Sequence, residues 1–154
     1  MIIKEVIYNE NLKKNIKLSE IQNQFERLIE ELKGKNLSDS FIHSINSKID
    51  AINSINDSDK ILKSQIKKNQ AEIIKQLEKE NKIVLKNHYR NTWLALGMSV
   101  FGIPMGVAFG ATLGNMGLVG IGLPIGMAIG IAIGTAKDKK AGEEGRQLDF
   151  EIKY

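Results

Sequence analysis

The chain has no cysteine. Disulfides, a thiol nucleophile and a thiolate metal site are excluded together. Histidine is nearly as scarce: His43 and His88 fall on different segments with no ligand spacing between them, so no metal is expected. No GxxxxGK phosphate loop occurs, and Gly120-Ile-Gly122 lacks both the third glycine and the preceding strand of a dinucleotide fingerprint. The acidic pairs Glu30/Glu31, Glu78/Glu80 and Glu143/Glu144 sit among other charges and read as solvated faces. No nucleophile–base pair can be argued from spacing. The expectation is a protein that is not an enzyme and needs no cofactor. The opening Met1-Ile-Ile-Lys-Glu also lacks the basic-then-apolar form of a secretory signal.

The absence that organises the chain is one of charge. From Thr92 to Ala136, 45 residues carry no ionisable group, and the polar side chains are Thr92, Ser99, Thr112, Asn115 and Thr135. One membrane-crossing helix takes about 20 apolar residues, so the run is too long for one span and fits two. Gly114-Asn115-Met116-Gly117 is its most turn-like stretch. This predicts spans over about 93–113 and 118–136, joined as a hairpin. The mean hydropathy of −0.19 hides this, because it averages a polar half with an apolar half.

Glycine is what the run has in excess. Gly102, Gly106, Gly110 and Gly114 fall four apart, and so do Gly122, Gly126, Gly130 and Gly134. Each row is three successive GxxxG units, the pattern that lets helix backbones approach closely in lipid. A glycine costs a water-exposed helix about 1 kcal/mol relative to alanine, so two rows imply packing surfaces. Residues 102–110 (GIPMGVAFG) match 122–130 (GLPIGMAIG), including Pro104 with Pro124 and Ala108 with Ala128; Gly97 and Gly117 extend the match. In a hairpin the copies run in opposite directions, an inverted duplication. About 200° round each helix lies a second small row: Pro104, Ala108, Thr112 and Pro124, Ala128, Ala132, Ala136. Two small faces per helix suit a ring of subunits.

Over residues 97–134 the chain resembles the glycine-zipper class of membrane proteins. That resemblance implies homo-oligomers built on GxxxG contacts, several members being channels or pore-forming toxins. Ser99, Thr112, Asn115 and Thr135 are then the pore-lining candidates, with no charged ring to set ion selectivity.

Lys82, Lys86 and Arg90 precede the run, Lys137, Lys139 and Lys140 follow it, and the turn between the spans has no charge. The positive-inside rule puts both ends on the cytoplasmic side, with Tyr89 and Trp93 as interfacial anchors. The Lys-, Asn- and Ile-rich composition suggests an AT-rich bacterial genome, hence a bacterial inner membrane.

Residues 1–91 are expected to form a cytoplasmic, self-associating helical or coiled-coil domain, so the fold class is all-α with short terminal strands. Met1–Tyr8 is β-branched and apolar enough for a short strand. Helical spacing starts at Leu12 and shows as Leu18, Ile21, Phe25, Leu28, Leu32, ending at Gly34; Ile42, Ile45, Ile49, Ile52 form a second stripe after Ser38-Asp39. A third helix follows Asn56-Asp57-Ser58-Asp59, with Leu62, Ile66, Ile73, Leu77 and Val84 in its seam and Asn69 as a register-setting polar group. No stop signal separates Asp59 from Pro104, so this helix is expected to continue into the first span, roughly 68 Å in all. Three short seams bury little area in one chain, which favours association with further copies. In the tail 137–154, Leu148, Phe150, Ile152 and Tyr154 alternate with polar residues as a strand expected to pair with residues 1–8, best as a pairing shared between subunits that contributes to assembly.

Residues 60–90 hold nine basic against three acidic side chains, and Lys75, Lys79, Lys82, Lys86 and Arg90 make one stripe on a continuous helix. Its partner is either an anionic inner-leaflet lipid surface or an anionic ligand such as a nucleotide or single-stranded nucleic acid. Stacking aromatics and arginine, which nucleic-acid binding favours, are scarce. The layout of a short cytoplasmic sensor on minimal spans is similar to that of membrane effectors of bacterial anti-phage defence, such as the Hailong type. It implies a gated channel under nucleic-acid control. A membrane scaffold that clusters a cytoplasmic regulatory protein, and a delivered membrane-inserting toxin, are the other readings.

Overall fold

The computed structural model describes residues 2–8, 16–56 and 58–152. Leu12, Met1 and Tyr154, which the sequence assigns to a helix start and to two strands, lie outside the described residues. Among the described residues there are five helices and no strand: α1 (Ile16–Lys33), α2 (Asp39–Asn53), α3 (Asp59–Asn81), α4 (His88–Thr112) and α5 (Met116–Glu143). They fall into two compact units, residues 1–82 with 152–154, and residues 83–151.

In the first unit α3 packs against both α1 and α2. Ser38 and Ser58 cap α2 and α3, accepting the N–H of Phe41 and Ile61 at 3.3 Å each. The core is Phe25, Leu28 and Leu32 from α1, Phe41, Ile45 and Ile49 from α2, and Leu62, Ile66, Ile73 and Leu77 from α3, all buried. In α2 the stripe runs through Phe41 rather than Ile42, which is only partly buried. Asn69 is buried and satisfied on both sides: its Nδ2 donates to the Lys48 carbonyl at 3.0 Å and its Oδ1 accepts from Gln65 at 3.1 Å. These seams cover one another within a single chain, so the argument that they need further copies falls away.

Two expectations fail at the end of α3. The helix does not run on into the first span. It stops at Asn81, Lys82 adopts a left-handed backbone (φ 57°), and Asn87 does so again (φ 61°) before α4 begins. Asparagine tolerates that region better than most residues, and lysine takes it at a cost of about 1–2 kcal/mol. Between them Ile83, Val84 and Leu85 are apolar and not helical; Ile83 and Val84 are buried, and Val84 gains backbone partners that a helix would deny it.

Those partners correct the second expectation. Among the described residues the tail pairs with residues 84–86 and not with residues 2–8. The N–H of Val84 donates to Arg146 O (3.0 Å), that of Leu148 to Val84 O (2.9 Å), and that of Lys86 to Phe150 O (3.1 Å). The contact is one isolated parallel bridge, Val84 with Gln147, too short to count as a strand. Leu148 and Phe150 are buried and Asp149 and Glu151 exposed, so the alternation in the tail does mark an inner and an outer face.

Candidate functional site

The second unit is organised by α4 and α5, both long and apolar enough to cross a membrane. Each extends past the uncharged run, to His88 at one end and Glu143 at the other. Only 22% and 17% of their most apolar windows are buried within the chain. Val100, Phe101, Ile103, Val107, Phe109, Ile121, Leu123 and Met127 are exposed. A water-soluble core helix buries that face; here the apolar side chains point outward and the glycines inward.

Gly122, Gly126, Gly130 and Gly134 on α5 are all buried. A Cβ added at any of them would strike backbone of α4, which cannot swing aside. At Gly122 it would meet Gly102 O and lie 2.5 Å from Gly106 N; at Gly126 it would meet Gly97 O and lie 2.5 Å from Gly102 N. At Gly130 it would meet Trp93 O, and at Gly134 it would lie 2.5 Å from the Cα of Arg90. The matching row on α4 is Gly97, Gly102, Gly106 and Gly110, all buried.

Gly114 is not in that row. It forms the turn, with φ 64° and nothing within 4 Å of an added Cβ. Gly97 takes its place, five residues before Gly102, because residues Gly97–Gly102 form a π-helical turn. The Ile103 N–H accordingly reaches back five residues to Met98 O. Pro104, which has no N–H to donate, follows directly. The widened turn brings Gly97 onto the packing face.

The hairpin is closed at both ends by hydrogen bonds. Asn115 Oδ1 accepts the Gly117 N–H (3.0 Å) at the tip. At the base, buried Asp138 from α5 accepts the N–H groups of Tyr89 (3.1 Å) and Arg90 (2.8 Å), in the first turn of α4. Its Oδ1 also accepts from Gln147 at 3.1 Å. A carboxylate borrowed from the neighbouring helix thus caps α4, whose own N-cap residue Asn87 makes no side-chain cap. Lys137 lies over the Trp93 ring, 5.4 Å from its centroid, at the same end. The sequence reading missed Asp138, which among Lys137, Lys139 and Lys140 looks like any solvated acid.

The pore-lining candidates are all exposed on the single chain. Ser99 Oγ donates to Ala95 O (3.0 Å) and Thr112 Oγ1 to Ala108 O (2.8 Å), so both hydroxyl protons are used by their own helix. Asn115 is engaged in the turn. The second small row, Pro104, Ala108 and Thr112 with Pro124, Ala128, Ala132 and Ala136, is exposed throughout.

The basic stripe is not one helix face. Lys75 and Lys79 are exposed on α3, Lys82 is the left-handed residue beyond it, Lys86 lies in the turn before α4 and Arg90 in the first turn of α4. Lys86 Nζ pairs with Asp149 at 2.5 Å, and that hydrogen bond, with the carboxylate's charge, raises the lysine's pKa. The cause is again the break at Asn81–Asn87. His43 is exposed on α2, and His88 stands edge-to-face with Tyr89, ring centroids 5.1 Å apart. No protein-family model, curated protein or solved structure matches the chain.

Proposed function

We propose that the α4–α5 hairpin inserts into a bacterial inner membrane with both termini cytoplasmic, and that copies of the chain assemble around it into an ion-conducting pore. One observation carries the reading: the glycine rows are taken up inside the hairpin, leaving an uncharged apolar surface outward with a row of small residues along it. Lipid suits the large side chains of that surface. The row Pro124, Ala128, Ala132, Ala136 suits close approach by another hairpin. Assembly then runs through the alanine row, because the glycines are already occupied. The positive residues at the base, with Trp93 beneath Lys137, favour the cytoplasmic side for that end.

Gating belongs to the N-terminal unit, reached through the non-helical link 83–87 and not through a rigid helix. Exposed Lys75 and Lys79 remain candidates for an anionic ligand, either single-stranded nucleic acid or a nucleotide, as a defence effector would use. A non-conducting scaffold for a cytoplasmic partner is the second reading. It is favoured by the hydroxyls of Ser99 and Thr112, which are turned back to their own helices and leave a thin polar lining.

Purified protein in liposomes separates the two. Wild type is expected to pass ions, and Ala128→Leu with Ala132→Leu to reduce flux at least about tenfold, since close approach along that row is lost. Oligomers without flux would establish the scaffold and remove the pore. Oligonucleotide or nucleotide is expected to change wild-type flux, steeply less so as salt rises. That response should be lost when Lys75 and Lys79 are changed to Gln.

A further inference from the structure

Residues 2–8 are extended but do not behave as a strand. Two asparagines of α2 grip their backbone. Asn46 Oδ1 accepts the Lys4 N–H at 2.8 Å while its Nδ2 donates to Ile2 O at 3.0 Å. Asn53 repeats the arrangement three residues along the segment: its Oδ1 accepts the Ile7 N–H at 2.9 Å and its Nδ2 donates to Glu5 O at 3.2 Å. Each carboxamide thus bonds the carbonyl of one residue and the N–H of the residue two further on. Asp50, between the two asparagines, holds Lys4 Nζ at 2.7 Å and 2.8 Å.

The spacing is matched. Seven residues of α-helix advance about 10.5 Å, and three residues of a polyproline-II-like chain about 9.3 Å, so two turns of α2 meet one turn of the segment. Ile3 is buried and Val6 and Tyr8 partly so, while Ile2, Lys4, Glu5 and Ile7 are exposed. This is not the two-residue alternation expected for a strand.

We propose that the face of α2 bearing Asn46, Asp50 and Asn53 is a peptide-binding groove, and that residues 2–8 are its resident, displaceable ligand. The peptide it takes is extended, with apolar residues at two positions three apart (Ile3 and Val6) and a basic residue after the first (Lys4). Proline is excluded at the places of Lys4 and Ile7, where the asparagines need an N–H. Both asparagines bond main-chain atoms, so side-chain selection rests on the apolar pair and Asp50. The Asn53 bonds and the Lys4–Asp50 pair lie at the surface, where they open readily, and the segment is anchored more deeply at Ile3 and at Tyr8, whose hydroxyl reaches Gln22 O. A partner carrying such a peptide would release the segment and expose it. This inference is independent of the membrane reading.

Two measurements on the full chain test it. In amide hydrogen exchange, Asn46→Ala is expected to speed exchange at Lys4 about fivefold to tenfold and leave Ile7 unchanged, and Asn53→Ala to do the reverse. Equal effects on both amides, or none, would overturn the two-point grip. In the second, a fluorescent peptide of residues 2–8 is titrated against Lys4→Pro protein, whose own segment has lost both the N–H and the ammonium. Saturable binding is expected, weakened at least about tenfold by adding Asn46→Ala with Asn53→Ala, or by proline at the Ile7 place in the peptide. Binding indifferent to the asparagines, or no binding to a protein whose helices remain folded, would show the segment to be a fixed part of the core. If Lys4→Pro unfolds the helices, the segment is likewise structural and not displaceable.

Discussion

Gly126→Leu opens the hairpin, whereas Gly120→Leu leaves it closed. A Cβ at Gly126 already overlaps the Gly97 carbonyl and comes within 2.5 Å of Gly102 N and 2.6 Å of its Cα. All three are backbone atoms in a neighbouring helix, so nothing local can rotate away. The helices must separate towards the 8–10 Å usual for packed helices with larger contact residues. Gly120, on the same helix, has nothing within 4 Å of an added Cβ and faces outward. Spin labels on exposed Val107 and Leu123, read in bilayers, are expected to move apart by more than about 2 Å in Gly126→Leu and to keep the wild-type distance in Gly120→Leu. Identical distances in the two variants would mean that the glycine row is not the contact. Gly114→Ala tests a different property. It meets no neighbour, but its φ of 64° disfavours any side chain, so it is expected to loosen the turn without separating the helices.

Asp138→Ala is expected to cost about 2–3 kcal/mol, combining the loss of a helix cap with the loss of charge-assisted bonds at a buried site. Two N–H groups at the start of α4 and the Gln147 amide lose their acceptor together. Asp138→Asn keeps an oxygen for one of them and should cost less. Lys137→Ala removes only the contact over Trp93, worth about 0.5–1 kcal/mol at an exposed site. Thermal or denaturant unfolding in micelles gives the comparison. If Asp138→Ala and Lys137→Ala destabilise equally, the carboxylate is not the clasp. The clasp also explains why α4 starts at His88, inside a charged stretch that hydropathy alone would leave outside the span.

The run from Thr92 to Ala136 and its glycine spacing were enough to give two apolar helices, the turn at Gly114–Gly117 and a close-packing face. The same holds for the caps at Ser38 and Ser58. These are local features, set by composition, period and one or two side chains. The errors share a different character. The break between α3 and α4 carries no glycine or proline, so nothing local marks Asn81, Lys82 and Asn87 as a helix end. Val84 and Lys86, off the helical path, bond the tail, which lies more than sixty residues away. The basic stripe failed with it, having assumed an unbroken helix.

Sequence alone therefore determined which residues avoid water and which must approach a neighbour closely, because those follow from side-chain size and charge at fixed helical spacing. Tertiary structure decided which partner each one meets. Gly97 joins the packing row only because the chain widens into a π turn at residues 97–102. Asp138 becomes a cap only because α5 delivers it to the first turn of α4. Asn46 and Asn53 hold residues 2–8 only because two turns of helix match one turn of extended chain. Each depends on how far one element advances relative to another, a distance no single segment contains.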